Sequence, residues 1–387
     1  MPVVLGSDRL LASGRLDGLT VGVVANPASV NGELQHIVDR VALQPRVRLG
    51  AVFGPQHGFR AGAQDNMIET AHGADEVRRL PVYSLYSETR EPTAAMLAGL
   101  DALVVDLQDV GARVYTFAYT MANCLRAGRT HGVTVIVCDR PNPIGGTAVE
   151  GPVLEPGLES FVGQFPIPMR HGLTIGELAR LFNDHFGIGA DLEVVRMTGW
   201  RRPMHWDRTR LPWVMPSPNM PTPDTAEVYP GSVLFEGTTL SEGRGTTRPF
   251  ELLGMPGIVP ERFAAALNAM GLGGVFFRPV EFEPTFQKHA GARCGGCQVH
   301  VTDREAFHPV EAAVAVMSEF HRQGPFVFGW RMPPYEYEHE KMPIDILAGS
   351  GALRSQIEAG LDGPCIATTW TDAVEAFMPV RGRYLIY

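Results

Sequence analysis

The chain has 387 residues, 45% of them apolar and 19% charged, and its 42 acidic and 33 basic side chains leave a net charge of −9. That length accommodates two domains with filled cores, and the acidic balance excludes a chain-wide basic footprint for nucleic acid. No apolar run reaches the ~18 residues of a membrane-spanning helix, and five cysteines argue against a disulfide framework.

The N-terminus shows no basic stretch followed by a long apolar one, so no secretory signal is visible. A cytoplasmic protein is the expectation.

Five apolar runs in the first 140 residues, at 20–25, 47–53, 82–86, 102–107 and 133–138, each end in a short polar turn. Continuous Val/Ile/Leu runs read as buried parallel strands. Helical spacing fills the gaps at 32–42, 74–80, 93–100 and 117–127. A capping box, Thr174-Ile-Gly-Glu177, opens a further helix over 175–186, and 192–197 reads as a sixth strand. This alternation predicts an α/β, Rossmann-like, doubly wound and mostly parallel sheet.

Residues 198–225 are dense in Pro and Trp and predict no regular element; they form either a linker or a wall of the site. Beyond them, helices at 261–270 and 310–322 and strands at 274–280 and 298–302 predict a smaller α+β domain. The expected boundary separates residues 1–225, carrying catalysis, from 226–387.

In open α/β sheets, ligands bind beyond the carboxyl ends of the strands. Here those ends carry His57, Glu88, Asp106, Asp109, Asp139, Arg140 and Asn142. No G-x-G-x-x-G follows the first strand, and there is no Walker A loop, nucleophile elbow or H-E-x-x-H helix; no cofactor is expected. Cys294-Gly-Gly-Cys297 lacks the second pair of a structural zinc site, so no metal is expected either.

Glu88, between Tyr86 and Arg90, has two readings. It is a partly desolvated carboxyl that holds a proton near neutral pH, or a solvated loop carboxylate paired with Arg90. His57 lies between glycines in a loop that a ligand could approach closely. Asp106, Asp109, Arg113 and Tyr115 either position a polar substrate or satisfy one another. Residues 235–248, with Glu236, Glu242 and Arg244 among three glycines and five hydroxyl residues, suit a polyol or anion cradle, or else a surface loop.

Taken together, several blocks resemble the NamZ/YbbC-type exo-β-N-acetylmuramidases. They are Gly54-Pro-Gln-His-Gly-Phe-Arg60, Ser84-Leu-Tyr-Ser-Glu-Thr-Arg-Glu-Pro92 and the run from Asp106 to Thr116. To these are added Asp139-Arg-Pro-Asn-Pro-Ile144, Glu150-Gly-Pro-Val-Leu154, Arg170-His-Gly-Leu-Thr-Ile-Gly-Glu-Leu178, Pro216-Ser-Pro-Asn-Met-Pro-Thr222 and the run from Tyr229 to Thr247.

The resemblance implies a glycoside hydrolase, independent of metal and nucleotide, that releases N-acetylmuramic acid from non-reducing ends of peptidoglycan fragments. It places the family's catalytic glutamate at Glu88, read as general acid. Asp106, Asp109 or Glu242 would be its carboxyl partner, and Tyr115 and His57 would assist. Arg113, Arg140 or Arg244 would take the lactyl carboxylate, with Asp139, Asn142, Asn219, Glu236 and Glu242 completing the substrate contacts. Two departures stand out: Ser87 replaces the family's usual glycine, and Gln56 stands where the family usually has glutamate. The alternatives are a lyase eliminating at the lactyl ether and a non-catalytic muropeptide-binding protein.

Overall fold

The structure, a computed structural model, describes residues 2–64, 67–323 and 328–387. The first strands are β1 (Thr20–Val24), β2 (Arg48–Gly54), β3 (Gly73–Asp75), β4 (Leu80–Ser84), β5 (Ala102–Val105) and β6 (Thr134–Cys138). They are followed by β7 (Glu150–Val153), β8 (Pro168–Arg170), β9 (Leu192–Val195), β10 (Leu252–Met255), β11 (Val275–Phe282) and β12 (Cys294–Val301).

The main sheet runs in the order β3-β4-β2-β1-β5-β6-β9. Every neighbouring pair in it is parallel except β3 with β4. Leaving out β3, this is the strand order of a doubly wound dinucleotide-type sheet. Val23, Val24, Val104, Val105, Ile136 and Val137 are fully buried, because packed layers cover both faces. The mostly parallel α/β fold expected from the sequence is therefore present. Among the described residues, no helix is long and apolar enough to cross a membrane.

The boundary differences have local causes. The helix expected over 74–80 is instead the antiparallel hairpin β3–β4. Asp75 accepts hydrogen bonds from the Val77 and Arg78 amides, and Arg79 has φ 54°, so the chain turns before a helix can nucleate. The helix expected over 32–42 is Ile37–Ala42. Its start is delayed because the Asn31 side chain binds the Glu33 and Gln35 amides and Leu34 is left-handed. The helix Phe117–His131 runs past its expected end to Gly132, which closes it at φ 71°. The Thr174/Glu177 capping box is present.

Contrary to the expectation of no regular element, the proline-rich stretch holds a short helix, Trp206–Thr209, and its end opens the helix Pro223–Ser232. Trp213 donates to the Met220 carbonyl, which folds the stretch into a wall carrying Ser217 and Asn219 toward a cavity.

The second sheet is antiparallel, in the order β10-β12-β11. β10 has no counterpart in the sequence reading, and β12 begins earlier than expected, at Cys294. Glycine is required there: a Cβ at Gly295 would sit 2.1 Å from the Ile258 carbonyl oxygen, and one at Gly296 1.9 Å from that of Leu253. The second half packs on the first through one apolar cluster that reaches from Val24 to Tyr384.

The helix Pro223–Ser232 meets the helix Pro309–Gln323 at Gly231, where a Cβ would lie 1.9 Å from the Pro309 carbonyl oxygen. Gly231→Ala must part the two helices. It should cost about 1–3 kcal/mol in denaturant unfolding, and an undiminished stability would show that the contact is not this close.

Candidate functional site

Three strand ends of the main sheet and one C-terminal turn converge on a buried chamber and an open groove beside it. Beyond β2, Gln56 and His57 enter the chamber. His57 (φ 69°) and Gly58 (φ 81°) are both left-handed, and the His57 ring is tied through Nδ1 to the Ala63 carbonyl at 2.8 Å. Beyond β4, Tyr86 is buried, while Ser87, Glu88 and Arg90 line the groove. Beyond β5, Tyr115, Thr116 and Phe117 form part of the chamber wall, and Glu236, Arg244, Phe250, Tyr335 and Glu336 come from the second half.

Glu336 lines both spaces. It is 4% exposed, and its Oε2 accepts a 2.9 Å hydrogen bond from the Tyr86 hydroxyl. Gln56 Nε2 donates to its Oε1 at 3.4 Å, while Gln56 Oε1 accepts from the Thr116 hydroxyl at 2.7 Å. Burial, reinforced by the Glu236 charge, pushes the Glu336 carboxyl up to about 7, against the pull of Tyr86, Gln56 and Arg90. Glu336 (φ 45°) and Tyr337 (φ 70°) are consecutive left-handed residues other than glycine. Such strain costs about 1–3 kcal/mol per residue and clusters at functional sites.

Glu236 anchors the other side of the chamber. It accepts from the Tyr335 hydroxyl at 2.7 Å and from Arg244 Nη2 at 2.6 Å. Arg244 also faces Glu242 at 3.3 Å, and Glu242 meets Lys288 at 2.8 Å. Burial pushes the Glu242 carboxyl up, but Lys288 and Arg244 more than offset it and hold it below its ordinary range. The chamber has about 40 Å³ of free space, room for a few water molecules. The groove offers about 420 Å³ between Phe161, Tyr337, Glu88 and Arg90.

Several expected site residues lie together here: His57, Tyr115, Asn219, Glu236 and Arg244 line the chamber, and Glu88 the groove. Asn219 exchanges hydrogen bonds with Gln64. The desolvation expected for Glu88 is absent. Its side chain is 79% exposed, 3.5 Å from His72, and bonds from its own amide and the Ser87 side chain hold its carboxyl below the ordinary value. The pairing of Glu88 with Arg90 is absent as well, since Arg90 turns to Glu69 at 3.2 Å.

Other expected residues are placed elsewhere. Asp106 and Arg140 form a fully buried two-bond ion pair, at 2.6 and 2.8 Å, beneath the sheet's rim. Asp109 binds the Gly111 amide. Arg113, fully buried, donates to the Leu347 and Ala348 carbonyls, and its burial lowers its pKa to about 10. Asp139 receives the Gly176 amide and the Thr174 and Tyr387 hydroxyls, which fixes the start of the 175–180 helix. Asn142 spans Leu173 and Ile144. Glu242 lies behind Arg244, outside the chamber lining. Asp106, Arg140, Asp139 and Asn142 are held by internal partners, whereas Asp109 Oδ1 and Arg113 Nε and Nη1 are buried without a hydrogen-bond partner among the described residues.

Glu336 was missed by the sequence reading. Its signal is the segment Pro333-Pro-Tyr335-Glu336-Tyr337, a carboxyl between aromatics like the one that drew attention to Glu88.

The raised carboxyl has a consequence for stability. Its folded value, about 7, exceeds the ordinary 4.5, so the stability it contributes is full below about 4.5 and lost as pH rises through 7. Glu336→Gln should flatten the decline of unfolding free energy across that window; an unchanged slope would contradict the assignment.

Comparisons with known proteins agree along the whole chain. Sequence models described as "Exo-beta-N-acetylmuramidase NamZ", N-terminal and C-terminal, match residues 21–224 and 227–387. The peptidoglycan beta-N-acetylmuramidase NamZ of Bacillus subtilis (strain 168) is 46% identical over 388 residues, spanning 100% of this chain and 91% of the relative. Two solved DUF1343 family proteins of Bacteroides fragilis NCTC 9343 each cover 100% of this chain and 99% of their own. One is 33% identical with a TM-score of 0.90, the other 26% identical with a TM-score of 0.77.

Proposed function

The chain belongs to the exo-β-N-acetylmuramidase NamZ family over nearly its whole length, and from that membership we propose how its groove cleaves peptidoglycan. It is a glycoside hydrolase, an exo-β-N-acetylmuramidase acting on peptidoglycan fragments, as its 46% identity to the Bacillus subtilis peptidoglycan beta-N-acetylmuramidase supports. The sugar lies in the open groove, with Phe161 and Tyr337 as apolar walls.

The observation that carries the mechanism is a pair of carboxyls on one groove whose environments push their protons apart. Glu336 is raised to about 7 and Glu88 is lowered. Glycosidases commonly pair a protonated acid with an ionised carboxylate, and opposite environments assign the roles. Glu336 is the proton donor to the leaving glycosidic oxygen. Glu88 is the ionised partner at the anomeric centre, the reverse of the acid role expected from its motif. Glu236, held by Arg244, lies behind Glu336, and its charge helps Glu336 retain its proton. Elimination at the lactyl ether would need only a base, so the two opposed carboxyls fit hydrolysis better.

Release of para-nitrophenol from the β-N-acetylmuramide, but not from the β-N-acetylglucosaminide, is the expected activity. Glu88→Gln should remove it. Glu336→Gln should lower kcat by about 10²–10⁴-fold on a disaccharide, whose sugar alkoxide leaves only with a proton. It should lower it far less on the nitrophenyl substrate, whose leaving group is already stable as an anion. Equal losses on both substrates would remove Glu336 as the acid.

Gln56→Glu would set a further carboxyl beside Glu336, and a like charge raises a carboxyl's pKa. The alkaline limb of the kcat/KM profile should move up. A limb that stays in place or moves down would contradict the contact.

A further inference from the structure

The muramic acid carboxylate needs a cation in the groove, and none of the three arginines expected to supply one lines it. Arg113 holds helix-end carbonyls, Arg140 holds Asp106, and Arg244 lies between Glu236 and Glu242. Arg90 lines the groove, and Arg126 lines the hollow beside it. Arg126 is bound to the Asn123 and Gln164 side-chain oxygens, both at 2.6 Å. Arg90 stands with Glu88 and Glu336 on the same surface.

Arg90 is built as a presented cation. Its guanidinium carbon is 4.3 Å from the Tyr86 ring centroid and 4.4 Å from that of Tyr337. Two aromatic faces hold the plane while leaving its edge available. One terminal nitrogen donates to the Ser87 carbonyl, which ties it to the loop bearing Glu88. The other meets Glu69, half-exposed, at 3.2 Å. Its Nε is buried with no hydrogen-bond partner among the described residues.

We propose that Arg90 is the specificity residue that reads the lactyl carboxylate of the substrate, which displaces Glu69 from the outer terminal nitrogen of the guanidinium. This rests on the reading of the groove as the muramidase site. A substrate lacking the lactyl group would leave Arg90 on Glu69 and lose that anchor, so discrimination arises in binding. A charge-assisted contact of this kind corresponds to roughly 10- to 100-fold in affinity.

The test compares para-nitrophenyl β-N-acetylmuramide with the same compound carrying its lactyl acid as the primary amide. The parent enzyme should favour the acid through KM. Arg90→Gln should lose roughly 10- to 100-fold in kcat/KM on the acid and little on the amide. Arg90→Lys should recover part of the loss. Activity on the amide doubles as the folding control for both variants. Equal losses on acid and amide would make Arg90 a support for the Glu88 loop and overturn the proposal. So would a parent enzyme that cleaves acid and amide equally well, a result that leaves the muramidase reading intact. A parent enzyme that cleaves neither would sink the muramidase reading, and this proposal with it.

Discussion

A carboxyl placed out of water beside another negative charge is the constraint from which this site is built. Glu336 is buried next to Glu236, and neither is removed from the other's influence. Ionising both would be costly, so the fold satisfies them unequally. Glu236 receives Arg244 and a tyrosine hydroxyl; Glu336 receives the Tyr86 hydroxyl and the Gln56 amide. That inequality separates a fixed charge from a transferable proton. It also explains why residues from three strand ends and a distant C-terminal turn must meet: no single segment could enclose Glu336.

Gln56 and Ser87 acquire physical meaning in this setting. Gln56 keeps a hydrogen bond to Glu336 without bringing a charge, with its oxygen fixed by Thr116. A glutamate there would compete for the same proton. Ser87 binds the Glu88 carboxylate and helps hold it ionised, which glycine could not do. Ser87 widens the difference between the two carboxyls of the groove, while the hydrogen bond from Gln56 pulls Glu336 down and narrows it.

The sheet was legible because buried parallel strands are written as uninterrupted apolar runs, and because cap residues such as Thr174 act locally. What was not legible depended on contacts distant in sequence. β10 is short and is defined by its partner β12, and the hairpin at 73–84 turns on one aspartate side chain. Glu88 was found through its motif, but the choice between a desolvated and a solvated carboxyl stayed open, since exposure is set by how the neighbouring loops pack. Asp106, Arg140, Asp139 and Arg113 had the residue types of a site, and the interior uses them to satisfy itself. Glu336 lies 248 positions beyond Glu88, and only folding places both on one groove.

The most direct test is the titration of Glu336 itself, read by infrared difference spectroscopy between the parent protein and Glu336→Gln. The account predicts a protonated carboxyl stretch, absent from the variant, that disappears only as pH passes about 7. A band already lost near the ordinary glutamate value of 4.5 would mean that Glu336 is ionised at neutral pH and cannot be the proton donor.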